Sequence, residues 1–405
     1  GSVAKWASGV LTARREFSRV ARMRSVSILV GACALMLFPR AASALDAPTI
    51  YDNAQNYPTG SRAAGMGGAY TALACDEAAL HYNPAALACS GSSRLELSAN
   101  AYVLESISVP NAFGEGQDVA AITYHSIPSI VGGVRVLREG DAEGNGRLVW
   151  GLSVAVPRSL SLRAEPSNPT KPNFIAVRVR DALTTADIGL GYRINGLVAI
   201  GWSVGIGLRT FESRQDALLS DATAKPCVFL GSCYGFLQST TDLEGLALGA
   251  RVKVGVRVTP TKEVSLGLSA ESPSADLFGS SAVVSTTSLG IDVGAGTIYG
   301  PFPSRLKGSS NLSLPMRLAL GAAYTGERFR LSFDASLAFP RTVHVAHKFE
   351  QEAIEGIAPL SPDDVAAQQV ELGLTWQPNV NLGAEIQVAD EVVVDFGVFT
   401  NMSSV

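Results

Sequence analysis

The stretch that decides the fold is residues 247–258, which read Ala-Leu-Gly-Ala-Arg-Val-Lys-Val-Gly-Val-Arg-Val. Apolar side chains hold the even positions, whereas small or cationic side chains hold the odd ones. Because successive side chains of a strand point to opposite faces, this alternation predicts a β-strand with one apolar face. The run is about twice the length of the ~5–6-residue strands of soluble sheets. It fits the wall of a transmembrane barrel, where about 9–11 residues cross the bilayer.

The same alternation recurs along the rest of the chain. We predict eleven strands, at 94–106, 118–137, 148–157, 174–194, 198–208, 247–258, 264–274, 314–325, 329–337, 369–388 and 392–400. Tight connections, such as the hairpin turn Asn195-Gly196, alternate with long ones at 213–240, 275–313 and 341–368. Outer-membrane barrels have this alternation of short periplasmic turns and long outer loops. The long segment 275–313 carries the apolar side chains expected of an initial ligand-capture groove: Ile291, Val293, Ile298, Tyr299, Phe302 and Leu306.

Composition excludes the other large classes. The chain of 405 residues is 47% hydrophobic and only 17% charged, with 40 glycines and a net charge of −4. That balance excludes a disordered chain and a nucleic-acid-binding protein. No run reaches the ~18 apolar residues of a transmembrane helix. An all-β transmembrane antiparallel barrel accommodates both the apolar average and the absence of long apolar runs.

The first 44 residues read as a leader. Basic residues around Met23 precede the apolar run 26–38 and the cleavage site Ala42-Ser43-Ala44. This order is that of a secretory signal peptide, so we expect residues 1–44 to be removed on export. A lipoprotein leader ending at Cys33 is the weaker alternative, because the apolar run continues past that cysteine.

Residues 45–93 lack the alternation and are rich in small side chains. Within residues 60–88, a glycine-rich stretch (Gly65 to Tyr70) precedes an acidic turn (Asp76-Glu77) and then Asn83-Pro84-Ala85. This pattern resembles the N-terminal hatch of the FadL/TodX family, outer-membrane transporters of long-chain fatty acids and other hydrophobic compounds. Residues 394–403 also resemble a late strand of that family.

The resemblance implies a barrel of about 14 strands closed from the periplasm by a small helical hatch. Residues 45–93 would form that hatch and residues 94–405 the barrel, with about three strands following Val405 to complete the even number. The hatch-motif residues would be Gly65, Gly67, Gly68, Asn83, Pro84 and Ala85. The implied function is uptake of a hydrophobic small molecule by an integral outer-membrane protein. A PorV-like barrel, a secretion accessory or scaffold without transport, has a similar hatch and remains the alternative.

We expect no enzyme, no cofactor and no nucleic-acid partner, and we expect a monomeric barrel in contact with outer-membrane lipid. Ser203 lies in a Gly-x-Ser-x-Gly match, but the match falls within an uninterrupted strand and not at the strand-to-helix turn that such a nucleophile needs. His344 and His347 are expected on opposite strand faces, which would exclude a shared metal site.

In the family, the ligand leaves sideways through a gap at a kinked strand. Val177 and Val179 are odd-numbered apolar positions, whereas the apolar positions of 188–194 are even. That slip predicts a bulge near Asp181 to Ala186 as one candidate gap. Segment 118–137, weakened by Pro128 and Gly132-Gly133, is the other.

Two further sets of residues are candidates for binding and stabilisation. The inward phase carries Arg193, Arg251, Lys253 and Arg257, which could hold a carboxylate head group. The alternative is that inward Asp187, Asp334 and Asp395 pair with these cations. Four cysteines remain after the leader, Cys75, Cys89, Cys227 and Cys233, and in an exported protein they predict two disulfides rather than a metal site.

Overall fold

A computed structural model describes residues 58–98, 102–109, 119–126, 130–142, 144–164, 174–227, 231–292, 297–354, 360–366, 368–390 and 392–400. The leader and residues 45–57 lie outside these ranges. Within them, no helix combines the length and the apolar character needed to cross a membrane.

The described chain opens with short helices and continues almost entirely as strands. Residues 58–93, the described part of the predicted hatch, contain α1 (Ser61–Gly65), α2 (Ala79–Tyr82) and a 3₁₀ helix (Pro84–Cys89), and we keep the name hatch for this segment. The first strands are β1 (Arg94–Leu97), β2 (Tyr102–Val109), β3 (Val119–Ser126), β4 (Ile130–Arg138), β5 (Leu148–Ala164), β6 (Phe174–Arg193), β7 (Val198–Cys227) and β8 (Gly231–Val258). The others are β9 (Val264–Glu271), β10 (Ala275–Asp292), β11 (Thr297–Ser309), β12 (Arg317–Thr325), β13 (Phe329–Ala338), β14 (Arg341–Gln351), β15 (Val370–Leu374), β16 (Gln377–Ala389) and β17 (Val392–Phe399). Helix α3 (Pro362–Ala366) lies in a short segment that is separate from the sheet.

All strand pairs are antiparallel, which confirms the predicted all-β antiparallel class. Among the described residues, fifteen strands share one sheet, whose main order is β1-β4-β5-β6-β7-β8-β9-β12-β13-β16-β17, while β2 and β3 form a separate pair. Strands β6 and β7, β8 and β9, β12 and β13, and β16 and β17 are joined by short turns at one end of the sheet, which we call the turn end. The opposite end is the far end.

The long connections predicted at 213–240, 275–313 and 341–368 are wrong as loops. Residues 213–227 prolong β7, residues 231–240 belong to β8, and 275–313 contains the paired strands β10 and β11. Towards the far end β10 replaces β9 as the partner of β8, with Ala275 opposite Ala250 and Asp292 opposite Tyr234. Strands β11, β14 and β15 continue this far half of the sheet.

The reason for this error is a reversal of polarity along the strands. On β6 the far-half residues Val177 and Val179 are buried, whereas their neighbours Arg178 and Arg180 are exposed. Nearer the turn end the apolar side chains are the exposed ones, as at Ile188. A search for strands with outward apolar side chains therefore finds only the half of the strand next to the turn end, which we call the near half. The other half is the far half.

The same reversal corrects the predicted bulge at 181–186. Strand β6 pairs with β7 without a register shift, from Phe174 opposite Leu218 to Arg193 opposite Ala199. The backbone phase is continuous, and only the apolar face changes sides. The irregularity lies instead on β5, where the register against β6 shifts between Ala155 and Arg158. Pro157 falls inside that shift, and proline cannot donate a ladder hydrogen bond.

Candidate functional site

The sheet surrounds the hatch and contacts it through glycines. The inward glycines that face hatch atoms are Gly132, Gly151, Gly189, Gly191, Gly201, Gly255, Gly267, Gly321, Gly383 and Gly397, and we call them the glycine belt. A Cβ atom at Gly255 would lie 2.0 Å from Asn83 Oδ1, and one at Gly397 would lie 2.0 Å from the Gly67 nitrogen. No side-chain-bearing residue allows such distances, so at these positions the hatch lies directly against the strand backbone.

Asn83 joins the hatch to the sheet. Its Nδ2 donates hydrogen bonds to the carbonyl oxygens of Thr71 and of Val256 on β8, both at 3.1 Å. Its Oδ1 accepts from the Ala85 nitrogen at 3.1 Å and thereby caps the 3₁₀ helix, which Pro84 begins. The Asn83-Pro84-Ala85 segment thus closes a helix end and contacts the wall at the same time.

The glycine-rich stretch forms the turn after α1. Gly67 and Gly68 have φ angles of 60° and 77°, the left-handed region that favours glycine. At Gly65 a Cβ would lie 2.6 Å from the Cβ of Asp395 on β17. All three predicted glycines are therefore placed where a turn or a close approach to the sheet requires them.

Two wall carboxylates, on β13 and β16, hold the hatch from the other side. Asp334 Oδ2 accepts hydrogen bonds from the backbone nitrogens of Tyr70 and Thr71, both at 2.8 Å. Glu385 accepts from Arg62 at 2.6 and 3.1 Å. Strand phase predicts only that Asp334 faces inward, where it could pair with cations, and it gives no signal for Glu385, because hatch partners cannot be read from strand phase.

The acidic turn of the hatch is crosslinked and buried. Cys75 and Cys89 form a disulfide with a Cα–Cα distance of 5.2 Å. Asp76 Oδ2 accepts a hydrogen bond from the Tyr70 hydroxyl at 2.5 Å. Burial raises the pKa of the Glu77 carboxyl to about 8, and a hydrogen bond with Glu96 and the charge of Asp76 act in the same direction. The side chains of Cys227 and Cys233 lie outside the described part of the structure, so that bridge stays a prediction.

The structure brings two of the four predicted cations together. Arg251 contacts Glu271 at 2.5 Å and Asp187 at 3.3 Å, and Lys253 lies 3.4 Å from the same Glu271. Lys253 also donates to the carbonyl oxygen of His81 in the hatch.

The other two cations lie nearer the turn end. Arg257 donates to the Ala72 carbonyl oxygen at 3.0 Å and to Ser265 Oγ at 2.8 Å. Arg193 ends β6 beside Gly144 in the β4–β5 connection. Lys253 and Arg257 thus both bind hatch backbone oxygens.

The interface between hatch and wall is closely filled at this level. A gap of about 10 Å³ remains, lined by Thr71, His81, Tyr82, Lys253, Ser269, Glu271, Arg317 and Ala319. A single water needs about 10–15 Å³. The gap therefore has room for one water at most.

A second ionic cluster lies farther from the hatch. Both carboxylate oxygens of Asp181 on β6 accept from Arg209, at 2.9 and 3.0 Å, and Arg158 on β5 lies 3.4 Å from Oδ2. All three side chains are buried. Arg158 directly follows the register shift at Pro157, so the cluster lies where β5 leaves its regular register.

Around and beyond this cluster the buried side chains are mainly apolar, although Ser213, Gln215 and Ser281 are buried there as well. The buried side chains of the far half include Val177, Val179, Leu183, Phe211, Leu243, Val283, Leu306, Leu312 and Leu314. Residues 310–316, between β11 and β12, bring Leu312 against the inner faces of Gly207 and Gly249. On β7, Glu212 and Arg214 alternate with these buried positions and are exposed on the outer face of the sheet.

The predicted capture segment is divided between the two faces of the sheet. Leu306 is 1% exposed and faces the interior, whereas Phe302 is 51% exposed. The side chains of Ile291, Val293, Ile298 and Tyr299 lie outside the described part. The apolar lining therefore includes Leu306 from this segment and draws its other named members from neighbouring strands.

The wall has a break between β3 and β5. The β4–β5 ladder ends at Ile130 opposite Ala155, and beyond it β3 lies beside β5 but pairs only with β2 among the described strands. This is the neighbourhood of the second predicted gap, the segment 118–137. Pro157 lies on the opposite side of the same break.

A curved antiparallel sheet that encloses an N-terminal hatch defines a hatch-containing β-barrel. No family model matches this chain, and no curated protein matches its sequence.

Solved structures do show the fold. The chain is similar to the P. putida toluene transporter TodX, with a TM-score of 0.56 and 15% identity over 86% of this chain and 84% of that one. It is similar to the Ralstonia pickettii toluene transporter TbuX, with a TM-score of 0.56 and 15% identity over 86% and 87% of the two chains. A Pseudomonas aeruginosa FadL homologue gives a TM-score of 0.52 and 12% identity over 86% and 82%. The predicted FadL/TodX-type fold is thereby confirmed.

Proposed function

We propose that this chain is an outer-membrane channel that takes up a hydrophobic small molecule. The observation that carries the proposal is the mainly apolar interior of the far half, enclosed by strands whose outer face there is charged. Burying apolar side chains inside a tube while exposing charge outside suits a passage for apolar molecules through an aqueous or polar layer. The similar structures are toluene transporters and a FadL homologue, which supports transport over catalysis.

The outer face of the near half supports the membrane location. On β7 the exposed apolar residues run from Ile200 to Leu208 and end before the charged pair Glu212 and Arg214. At about 3.3 Å per residue and a tilt of about 40°, this run covers about 20 Å. Outer-membrane barrels carry an apolar band about 25 Å tall.

In this proposal the ligand enters at the far end, crosses the apolar interior and stops above the hatch. The break between β3 and β5, next to Pro157, is the exit towards the membrane. For a long-chain fatty acid, the carboxylate would compete with Glu271 for Arg251 and Lys253. A neutral aromatic ligand would need no such exchange.

A scaffold barrel without transport is the second candidate, and the filled hatch interface favours it. The gap of about 10 Å³ beside His81 and Lys253 is too small to let a ligand pass at that point. The two functions differ in whether the apolar interior binds a ligand at all.

The test is binding of labelled oleate and toluene to the purified barrel in detergent. We expect saturable binding that weakens about tenfold, or about 1.4 kcal/mol, in Phe211→Gln and Leu243→Gln, because each puts an amide into the apolar interior. Glu212→Gln and Asp242→Asn are the matched controls, since they alter the neighbouring outward positions of the same two strands.

Absence of binding by a folded, heat-modifiable wild-type barrel would reject transport and favour the scaffold. Equal weakening in the inward and outward variants would show that the apolar interior is not the binding site. Preference for oleate over toluene would support a fatty acid as the ligand class.

A further inference from the structure

Two histidines come together in the far half of the sheet. The ring centroids of His344 and His347 on β14 are 5.1 Å apart, with the ring planes tilted by 47°. The sequence analysis expected these side chains on opposite faces of a regular strand, and that expectation is wrong. The register between β14 and β15 shifts between His344 and Ala346. Val345, Ala346 and His347 are consecutive buried residues, so the alternation is interrupted between the two histidines.

The backbone after the pair is also unusual. Lys348 has a φ of 55°, in the left-handed region that non-glycine residues rarely adopt. Such a conformation costs free energy and persists where the surrounding structure holds it. The bulge and the Lys348 conformation together fix the relative position of the two rings.

The hydrogen bonds leave ring nitrogens available on both histidines. His344 Nδ1 lies 2.8 Å from Glu371 Oε1 on β15, directly across the strand pair. This bond orients the ring and leaves Nε2 as a possible ligand. A carboxylate behind a histidine is the usual support of a metal-binding imidazole. His347 Nδ1 is buried and has no hydrogen-bond partner in the structure.

We propose that His344 and His347 bind a divalent transition-metal ion, with Glu371 as the positioning residue of His344. A metal bound at about 2.1 Å lies about 3.2 Å from each ring centroid, so two rings at a tetrahedral angle have centroids about 5.2 Å apart. The observed 5.1 Å agrees with this value.

The two histidines supply two of the metal's ligands, and water molecules or a bound small molecule would complete its coordination. No group of three or more His, Cys, Asp or Glu side chains placed to hold a metal occurs in the described part of the chain. Imidazole ligands suit Zn²⁺, Cu²⁺ and Ni²⁺ rather than Mg²⁺ or Ca²⁺. Both rings must be neutral to bind, so protons compete with the metal ion and binding weakens in acid.

The experiment is calorimetric titration of ZnCl₂ into the full-length barrel, purified in detergent without a polyhistidine tag. We expect one Zn²⁺ per chain, with affinity at least about tenfold weaker in His344→Ala and in His347→Ala. Glu371→Gln is expected to lose about 10–100-fold, the usual effect of removing a carboxylate that supports a ligand. His125→Ala, which removes a histidine from β3, is the matched control and leaves the affinity unchanged.

Copper adds a readout that a merely structural role of the pair would not give. The EPR spectrum of bound Cu²⁺ is expected to show hyperfine coupling to two nitrogens in the wild type and to one in His344→Ala. His344 is partly exposed, so this variant tests the site even where His347→Ala fails to fold. Unchanged Zn²⁺ affinity in the double variant, or no binding at about 1 mM Zn²⁺, would overturn the proposal.

Discussion

Asn83 concentrates three structural roles in one buried side chain. It closes the 3₁₀ helix of the hatch, ties that helix to the preceding hatch turn at Thr71, and reaches the carbonyl oxygen of Val256 in the wall. The sequence identifies it as a helix-terminating residue, since asparagine caps helices and a following proline ends the previous helix. The bond to Val256 could not be predicted, because it depends on a contact between segments 173 residues apart.

Asn83→Ala is expected to destabilise the folded protein by about 3 kcal/mol, at about 1 kcal/mol for each lost hydrogen bond. The measurement is the thermal unfolding midpoint of the purified barrel. Asn83→Asp separates the roles, because it keeps the oxygen that accepts from Ala85 but loses both donated bonds. An aspartate variant as stable as the wild type would show that the wall contact contributes nothing.

Gly255→Ala is expected to displace the hatch. The new Cβ would overlap Asn83 Oδ1, and overpacking of this kind costs about 1–3 kcal/mol. Gly245→Ala, on the same strand, is the control, because its nearest neighbour, Ser310 Oγ, would lie at 3.6 Å. Limited proteolysis of the hatch should accelerate in the first variant only. Equal rates in both variants would contradict the close backbone contact.

Glu77 makes the stability of the hatch depend on pH. Its pKa is raised from 4.5 to about 8, so the folded state favours the protonated form. This contribution is fully present below about pH 4.5 and is lost as the pH rises towards about 8. We therefore expect the unfolding midpoint to fall over that range in the wild type and to fall less in Glu77→Gln. Glu263→Gln, in an exposed turn, should behave as the wild type.

At the level of whole strands, the near half was predictable and the far half was not. Where a strand faces lipid on one side and the hatch on the other, apolar and polar positions alternate visibly, as from Ile200 to Leu208. In the far half the apolar positions change sides, β10 and β11 also carry serines and glycines, and β11 carries two prolines. A pattern search with one fixed apolar phase therefore reads these strands as loops.

The glycine belt shows a different limit. The alternating glycines of β6 and β7 are evident in the sequence, but their partner is not. Gly191 faces Pro84 and Ala88 of the hatch, and Gly201 faces Pro84 and Ala85. Since both partners lie more than a hundred residues away in the chain, strand patterning alone could only mark these positions as small and inward.

Deletion of Pro157 is expected to close the proposed exit. Removing one residue would let Val156 pair with Thr184 and restore alternation between Ala155 and Arg158, which face the interior on either side of the shift. Ligand binding in detergent should remain, whereas uptake by cells should fall. Pro273, between β9 and β10, is the control position, and its substitution by alanine should leave uptake intact. Unchanged uptake in the deletion variant would place the exit elsewhere.

For the whole molecule, the filled interface between hatch and wall predicts a barrel that passes few ions. A gap with room for one water at most cannot support a continuous water column. We expect low conductance of the wild type in planar bilayers and a large rise when residues 58–93 are deleted. The deletion also strips Lys253, Arg257 and Asp334 of their hatch partners, so refolding must be checked by heat-modifiable migration.

The double variant Asp334→Ala and Glu385→Ala tests the same point with the hatch still present. It removes the two wall carboxylates that bind Tyr70, Thr71 and Arg62, and it should raise the conductance part of the way. A double variant that unfolds at a lower temperature yet conducts no better would mean that these carboxylates stabilise the hatch without closing the lumen. A wild type that conducts as well as the deletion would mean that the hatch leaves an open path, and the ligand would then have no need of the break beside Pro157.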